Sequence, residues 1–144
     1  MKEKGAAMDN TLYIVWGEEN TVGISILDEQ HRSIVSTINT LDYYIKKGTG
    51  KHVVSAILKI LEEYSKLHFE TEEDLMKQAD YPDYEAHVKK HRKMMVNTLV
   101  IRAENSVTKD ADAVLQFLKD WWHTHVNIED QQYLPYVKKL YEQQ

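Results

Sequence analysis

Two pairs of polar residues lie four positions apart in segments that favour helix. His87 and His91 occur in "HVKKH", and His68 and Glu72 occur in "HFETE". Positions i and i+4 lie on the same face of an α-helix, one turn apart. Imidazole and carboxylate groups placed in this way can bind a transition-metal ion together. Each pair alone is also common on solvated helix surfaces, because such contacts stabilise helices.

Further polar residues extend this pattern to all four predicted helices. His31 and His125 lie on apolar helix faces, and Asp130 follows His125 by five residues. In a regular α-helix this spacing turns the side chain about 140° away, but at a helix end Asp130 can bend back. Burying such groups without partners costs several kcal/mol each, against a domain stability of about 5–15 kcal/mol. We therefore predict that they converge on a metal centre. The predicted ligands are His31, His68, Glu72, His87, His91, His125 and Asp130.

The composition restricts this centre to histidine and carboxylate ligands. The 144-residue chain contains no cysteine, which excludes disulfides, iron–sulfur clusters, thiolate zinc sites and cysteine nucleophiles. Its net charge is −5 at pH 7, and the lack of a basic block argues against nucleic-acid binding. No apolar run approaches the roughly 20 residues that cross a bilayer, and the N-terminus lacks the apolar segment of a signal peptide. We therefore predict a cytoplasmic protein with no membrane span.

The number of donor atoms favours reversible binding of a small ligand. Five imidazoles and two bridging carboxylates would supply nine donor atoms, and a solvent-derived oxygen bridge would take one position on each of two metals. Two octahedral metals have about twelve positions between them, so one stays open. Imidazole with carboxylate suits iron among the redox metals. Two ferrous ions could give O2 two electrons, and a scarcity of proton donors nearby would favour release of O2 over oxidation of a substrate.

Four long helices must position these residues. Apolar periodicity predicts a first helix from about residue 25 to the stop signal "KKGTG" at 46–50. It predicts three more helices over 51–79, 84–105 and 109–129, joined by short turns. No strand-like alternation competes with this pattern. The predicted fold is therefore all-α, an up-down-up-down four-helix bundle with an N-terminal arm and a short C-terminal helix.

The chain is predicted to form a single domain over residues 1–144. An arm over 1–24 precedes the bundle over 25–130, and the tail over 131–144 contains a short helix around Pro135. Ser25 with Asp28 forms an N-terminal capping pattern for the first helix, and Asp83 is placed to cap the third. His52 and His123 are predicted to lie outside the metal centre. The predicted inward stripe of the fourth helix is Val114, Leu118, Trp121, His125 and Ile128.

Four segments resemble, in order, the ligand motifs of the hemerythrin family. They are "ILDEQH" (26–31), "HFETEE" (68–73), "HVKKH" (87–91) and "HVNIED" (125–130). The segments "VWGEENTVGISILDEQH" and "DQQYLPYVKK" also resemble the bacterial branch of that family, so the resemblance covers nearly the whole chain. It implies a four-helix bundle around a non-haem di-iron centre that binds O2 reversibly, as an oxygen carrier or store.

The resemblance also implies a role for each ligand. His87, His91 and His125 would hold a coordinatively saturated iron. His31 and His68 would hold the iron with the open position. Glu72 and Asp130 would bridge the two ions, together with an oxo or hydroxo group. The two irons would be ferrous (Fe2+) without O2 and ferric (Fe3+) with O2 bound as a hydroperoxide, which would take its proton from the bridging hydroxide.

Trp122 departs from the family pattern. The family has leucine three residues before the histidine of the fourth helix, where it lines the O2 pocket, and this chain has Trp122 in "DWWHTH". Trp121 matches a common family tryptophan. Trp122 either repacks the boundary of the core, or its bulk narrows the pocket and shields it from water. The second interpretation bears on O2 affinity and autoxidation, but not on the ligand set.

We do not expect an enzyme, although the sequence leaves several alternatives to an oxygen carrier open. Ferritin-like oxidases use Glu-x-x-His motifs, and no glutamate stands three residues before a histidine here. A peroxide-handling or NO-handling activity at the same centre, or an O2 or redox sensor, remains an alternative. The simplest alternative is a structural protein, a plain helical bundle whose histidines lie on the surface. The expected partner is O2, with an oxygen-consuming enzyme as a further candidate.

Overall fold

The computed structural model describes residues 9–142, and this range contains five α-helices and no strand. The helices are α1 (Ser25–Lys46), α2 (Val54–Gln78), α3 (Tyr84–Thr108), α4 (Ala111–Asp120) and α5 (Leu134–Glu142). Helix α4 continues directly into a π-helix over Trp121–Glu129, which we call the π segment. Helices α1 to α4 form the predicted four-helix bundle, and α5 is the predicted short C-terminal helix. None of the helices in this range is long and apolar enough to span a membrane.

The turns between the helices follow the glycine and proline signals only in part. Helix α1 ends at Lys46, and Gly48 has a φ of +83°, a left-handed conformation that glycine adopts without strain. A 3-10 turn over Gly50–His52 then delays the start of α2 to Val54, three residues later than predicted. Helix α3 runs to Thr108, three residues beyond its predicted end.

Neither predicted capping pattern forms as expected. Ser25 is the first residue of α1 rather than its cap, since the N-cap is Ile24 without a side-chain hydrogen bond. Asp28 instead accepts the backbone N–H of Val22 at 2.7 Å and that of Gly23 at 3.3 Å. These two hydrogen bonds connect the end of the arm to the first turn of α1.

Asp83 occupies the N-cap position of α3 without a capping hydrogen bond. Asp110 does cap α4, accepting the N–H of Ala113 at 3.1 Å.

The arm packs against α1 and the π segment. The side chain of Asn39 pairs with both backbone groups of Ile14, at 2.9 and 2.8 Å. The Tyr13 hydroxyl lies 2.9 Å from Nε2 of His123. The described part of the arm is irregular apart from a 3-10 turn over Glu18–Asn20. Residues 1–8, which belong to the predicted arm, lie outside the described residues.

The buried core consists of two apolar clusters with a polar layer between them. One cluster fills the end of the bundle that contains Ile38, Leu58 and Leu118. The other joins the start of α1 and the end of α2 to α5, through Leu27 and Val137. The predicted metal ligands occupy the layer between the two clusters. The predicted ligands are almost fully buried there, with an apolar cluster on either side.

Candidate metal centre

The structure brings all seven predicted ligands into the polar layer, where each exposes at most 2% of its surface. They fall into two groups, within each of which the ligand atoms lie less than 4.8 Å apart. The larger group comprises Glu72, His87, His91, His125 and Asp130. The smaller group comprises His31, His68 and Asp130. Asp130 belongs to both groups, which is the geometry of a carboxylate that lies between two adjacent metal positions.

Ring nitrogens and carboxylate oxygens approach one another closely around Asp130. Oδ1 of Asp130 lies 3.1 Å from Nε2 of His125 and 3.2 Å from Nε2 of His87. Oδ2 faces the other group, at 4.0 Å from Nε2 of His68. An octahedral ion with ligands about 2.1 Å away sets neighbouring donor atoms about 3.0 Å apart. The spacing on the Oδ1 side therefore fits a metal ion without rearrangement of the backbone.

Glu72 also lies between the two groups, but its two oxygens are used differently. Oε1 lies 2.9 Å from Nε2 of His68, 3.4 Å from that of His125 and 3.6 Å from that of His91. Oε2 accepts a hydrogen bond from the Tyr133 hydroxyl at 2.6 Å. Sequence reasoning did not identify Tyr133 as part of the site. Its position three residues after Asp130, on the next turn of the chain, is the signal that could have indicated it.

The π segment is the local structure that brings Asp130 into the site. A π-helix has i→i+5 hydrogen bonds, and the N–H of Asp130 donates to the carbonyl oxygen of His125. The wider turn returns a residue five positions later to nearly the same face, which a regular α-helix does not. The prediction of a regular helix through residue 129 was therefore wrong. Ile128, predicted to point inward, is 60% exposed for the same reason.

Hydrogen bonds to Nδ1 leave Nε2 of two histidines free to bind a metal ion. Nδ1 of His68 donates to Oε1 of Gln30 at 2.7 Å, and Nδ1 of His91 donates to Oε2 of Glu73 at 3.0 Å. A ring that donates from one nitrogen presents the lone pair of the other. Gln30 is held in turn by Thr71, whose hydroxyl oxygen lies 3.0 Å from Nε2 of Gln30.

Several buried polar atoms in the layer have no hydrogen-bond partner among residues 9–142. They are both ring nitrogens of His31, Nε2 of His68, His87 and His91, and both oxygens of Asp130. A buried polar atom without a partner costs about 1–3 kcal/mol. These atoms face one another in a single layer. Their arrangement fits a pair of metal ions that their lone pairs would coordinate. Imidazole and carboxylate donors without thiolate also suit iron.

Burial and mutual contact shift the protonation of the ligands. Burial, with a neighbouring imidazole, lowers the pKa of His31 to about 3 and that of His87 to about 4. Burial alone would raise the pKa of Glu72, but the histidines around it outweigh this effect and hold that pKa well below its usual range. Burial and the charge of Glu72 raise the pKa of Asp130 well above its usual range. His31 and His87 are therefore neutral at pH 7, and the neutral imidazole is the form that binds metals.

Trp122 lies beside the smaller group of ligands. Its ring is 2% exposed, and it meets the ring of His31 edge to face at a centroid distance of 6.0 Å. The ring of Trp16 in the arm lies 6.5 Å from it on a tilted approach. Trp122 therefore lies between the arm and His31. His52 and His123 are exposed and outside the layer, as predicted.

Comparison with known proteins places these features in a family. The family model of the hemerythrin HHE cation binding domain matches residues 22–137. A bacteriohemerythrin of Stenotrophomonas maltophilia (strain R551-3) is 29% identical over 126 residues, which cover 87% of this chain and 82% of that protein. A hemerythrin-like protein of Naegleria gruberi is 29% identical over 118 residues, which cover 82% of this chain and 88% of that one.

The fold agrees with that of a solved hemerythrin. The crystal structure of a mutant hemerythrin superposes with a TM-score of 0.74 at 23% sequence identity, over 88% of this chain and 98% of that chain. The resemblance predicted from the four ligand motifs is therefore confirmed along most of the chain, and the chain belongs to the hemerythrin family.

Proposed function

We propose that this protein binds O2 reversibly at a non-haem di-iron centre, as an oxygen carrier or store rather than an enzyme. The observation that supports this most directly is the unequal division of the ligands. Three histidines lie in one group and two in the other, with Asp130 common to both. The iron on the side of His31 and His68 would then have fewer protein donors and an open position for O2. Iron held there would supply the electrons that O2 accepts on binding and returns on release.

The surrounding residues support binding and release rather than turnover. The two tyrosines nearest the layer already use their hydroxyl groups. Tyr133 donates to Glu72, and Tyr64 donates to the carbonyl oxygen of Gln30 at 2.6 Å. Burial, with the charge of Glu72, raises the pKa of both tyrosines well above the usual range. Neither is therefore a ready source of the protons that conversion of O2 to water or peroxide would consume.

An anaerobic optical titration tests the proposal. The protein is loaded with ferrous iron, its iron content is measured, and O2 is admitted and then removed. We expect about two irons per chain and a visible charge-transfer band that appears with O2 and fades without it. Irreversible oxidation without a stable band would contradict the carrier function and favour a sensor. Turnover of peroxide or NO beyond one equivalent per site would instead favour an enzyme. Little bound iron would contradict the ligand assignment.

Trp122→Leu is expected to raise the autoxidation rate about tenfold without a change in iron content. The smaller side chain leaves space beside His31, and water that enters this space can promote oxidation of the iron. Autoxidation is followed optically after loading with ferrous iron and O2. The control is Tyr44→Leu, which replaces a half-buried aromatic residue of α1. Equal rates in the Trp122 variant and the parent protein would mean that Trp122 only fills the core boundary.

A further inference from the structure

The outer face of α3 carries an apolar stripe that no other element covers within residues 9–142. The exposed fractions of Val96, Leu99, Val100 and Val107 are 58%, 50%, 48% and 85%. At about 100° per residue, the three valines point within about 40° of one another. They lie on the side of the helix opposite the buried Thr98. The second half of α3 therefore has one face buried in the bundle and an apolar face exposed on the opposite side.

Helix α2 extends this face. Ile60 and Leu67 are 48% and 63% exposed, and Leu67 lines the same groove as Val96. An ion pair between Glu62 and Arg102 holds the two helices side by side. The described part of the arm packs on α1 and the π segment instead, so it does not shield these residues. Several exposed apolar side chains that share one surface make this face a candidate interaction site.

We propose that this face binds a second copy of the chain, with α3 packed antiparallel on α3 about a two-fold axis between Leu99 and Val100. A two-fold axis places each patch against an identical one, so a single apolar stripe can cover itself. In this register Val96 lies opposite the partner's Ala103, a large residue against a small one. Val107 lies over the aliphatic part of the partner's Arg92.

The charges beside the stripe favour the antiparallel arrangement. Lys93 and Glu104 are both exposed, and neither forms an ion pair with another residue in 9–142. They lie on the same flank of the stripe, about 60–80° from Val96 and away from Arg102. An antiparallel two-fold axis sets this flank against itself and brings Lys93 within about 3 Å, along the helix axis, of the partner's Glu104. A parallel pair would instead set this flank against the opposite flank of the partner, so Lys93 and the partner's Glu104 would not meet.

The size of the patch predicts a weak dimer. Stable complexes bury about 800 Å² on each partner, and the exposed apolar surface of a few half-buried side chains is smaller. We therefore expect a dissociation constant in the micromolar range, about 1–100 μM.

Sedimentation velocity on the full chain, from about 1 μM to 1 mM, tests the proposal. The parent protein is expected to change from monomer to dimer over this range. Val100→Glu buries a charge at the axis and should raise the dissociation constant at least about a hundredfold. Ile26→Glu is the matched control, since Ile26 is 47% exposed on α1, and it should leave the dimer unchanged. A parent protein that stays monomeric, or a dimer that persists in Val100→Glu, would overturn the proposal.

Charge reversal tests the register without altering the apolar stripe. Lys93→Glu alone and Glu104→Lys alone should each raise the dissociation constant about tenfold, because two symmetric pairs become repulsive. The double variant should restore it. Circular dichroism confirms that each variant is folded. If the double variant does not recover dimerisation, the antiparallel pairing of Lys93 with Glu104 is refuted.

Discussion

His31→Leu is expected to reduce the iron content by about half and, at the same time, to stabilise the metal-free protein. His31 is one of two histidines in the smaller ligand group, so its loss should empty that position first. In the metal-free protein both of its ring nitrogens are buried without a partner among the described residues. Leucine fills nearly the same volume and has no polar atom to bury. The free energy of unfolding should therefore rise by about 1–3 kcal/mol.

The difference between the two proteins should grow as the pH falls. Burial lowers the pKa of His31 to about 3 in the folded state, whereas the unfolded chain takes up this proton near 6.5. A lowered histidine pKa makes folding less favourable as the pH falls from about 6.5 towards 3, because the unfolded state binds more protons. Leucine has no such proton. The metal-free variant should therefore lose less stability than the parent protein over this range.

Iron analysis and denaturant unfolding of the metal-free proteins measure both effects. His52→Leu is the matched control, because it makes the same replacement at an exposed histidine. It should change neither the iron content nor the pH dependence. A His31→Leu variant that still binds two irons, or one that is less stable than the parent protein without metal, would contradict the interpretation of His31 as a ligand held at a cost to stability.

Asp130→Asn is expected to weaken binding of both irons by at least about a hundredfold. Asp130 is the residue that belongs to both ligand groups, with Oδ1 facing His87 and His125 and Oδ2 facing His68. An amide is a poorer ligand than a carboxylate, and it contributes no negative charge to balance that of the metal ions. The replacement should therefore remove most of the iron from the protein.

Without metal, Asp130→Asn should change the free energy of unfolding by less than about 1 kcal/mol at a pH where Asp130 of the parent protein holds a proton. Burial and the charge of Glu72 raise the pKa of Asp130, so that its carboxyl group is neutral, like the amide, well above pH 3.8. A raised carboxyl pKa favours folding at low pH, and this contribution is lost as the pH rises through the folded-state value. The variant should accordingly become the more stable protein as the pH rises.

Asp120→Asn makes the same substitution at an exposed position of α4 and serves as the control for iron content and unfolding. An Asp130→Asn variant with the full iron content would show that Asp130 does not connect the two groups. A large loss of stability in the metal-free variant near neutral pH would show that the carboxyl group has a structural role.

The helix content and most of the site residues followed from the sequence alone. Apolar periodicity predicted the four helices within a few residues of their bounds. Spacings of four placed His68 with Glu72 and His87 with His91 on common faces, since this geometry belongs to any regular α-helix. The absence of cysteine restricted the donors to imidazole and carboxylate. These properties are local, and the sequence determines local properties largely without reference to the rest of the chain.

The position of Asp130 was decided by the tertiary structure. Its distance of five residues from His125 does not fit a regular helix, and only the π segment makes it fit. Nothing in the sequence "WWHTHVNIE" distinguishes a π-helix from an α-helix, because the i→i+5 bonds depend on packing against the other helices. The same wider turn exposes Ile128, which the periodicity had placed inside.

The partners of the ligands also depended on the fold. Tyr133 contacts Glu72 across 61 residues of sequence, and Gln30 contacts His68 across 38. Spacing along the chain does not identify the partner in such a contact, because the two residues lie in different elements and the packing of the core brings them together. The sequence by itself therefore determined the chemistry of the candidate centre and the faces that carry it. The tertiary structure decided how the two groups meet, since only packing sets the distances between atoms far apart in the chain.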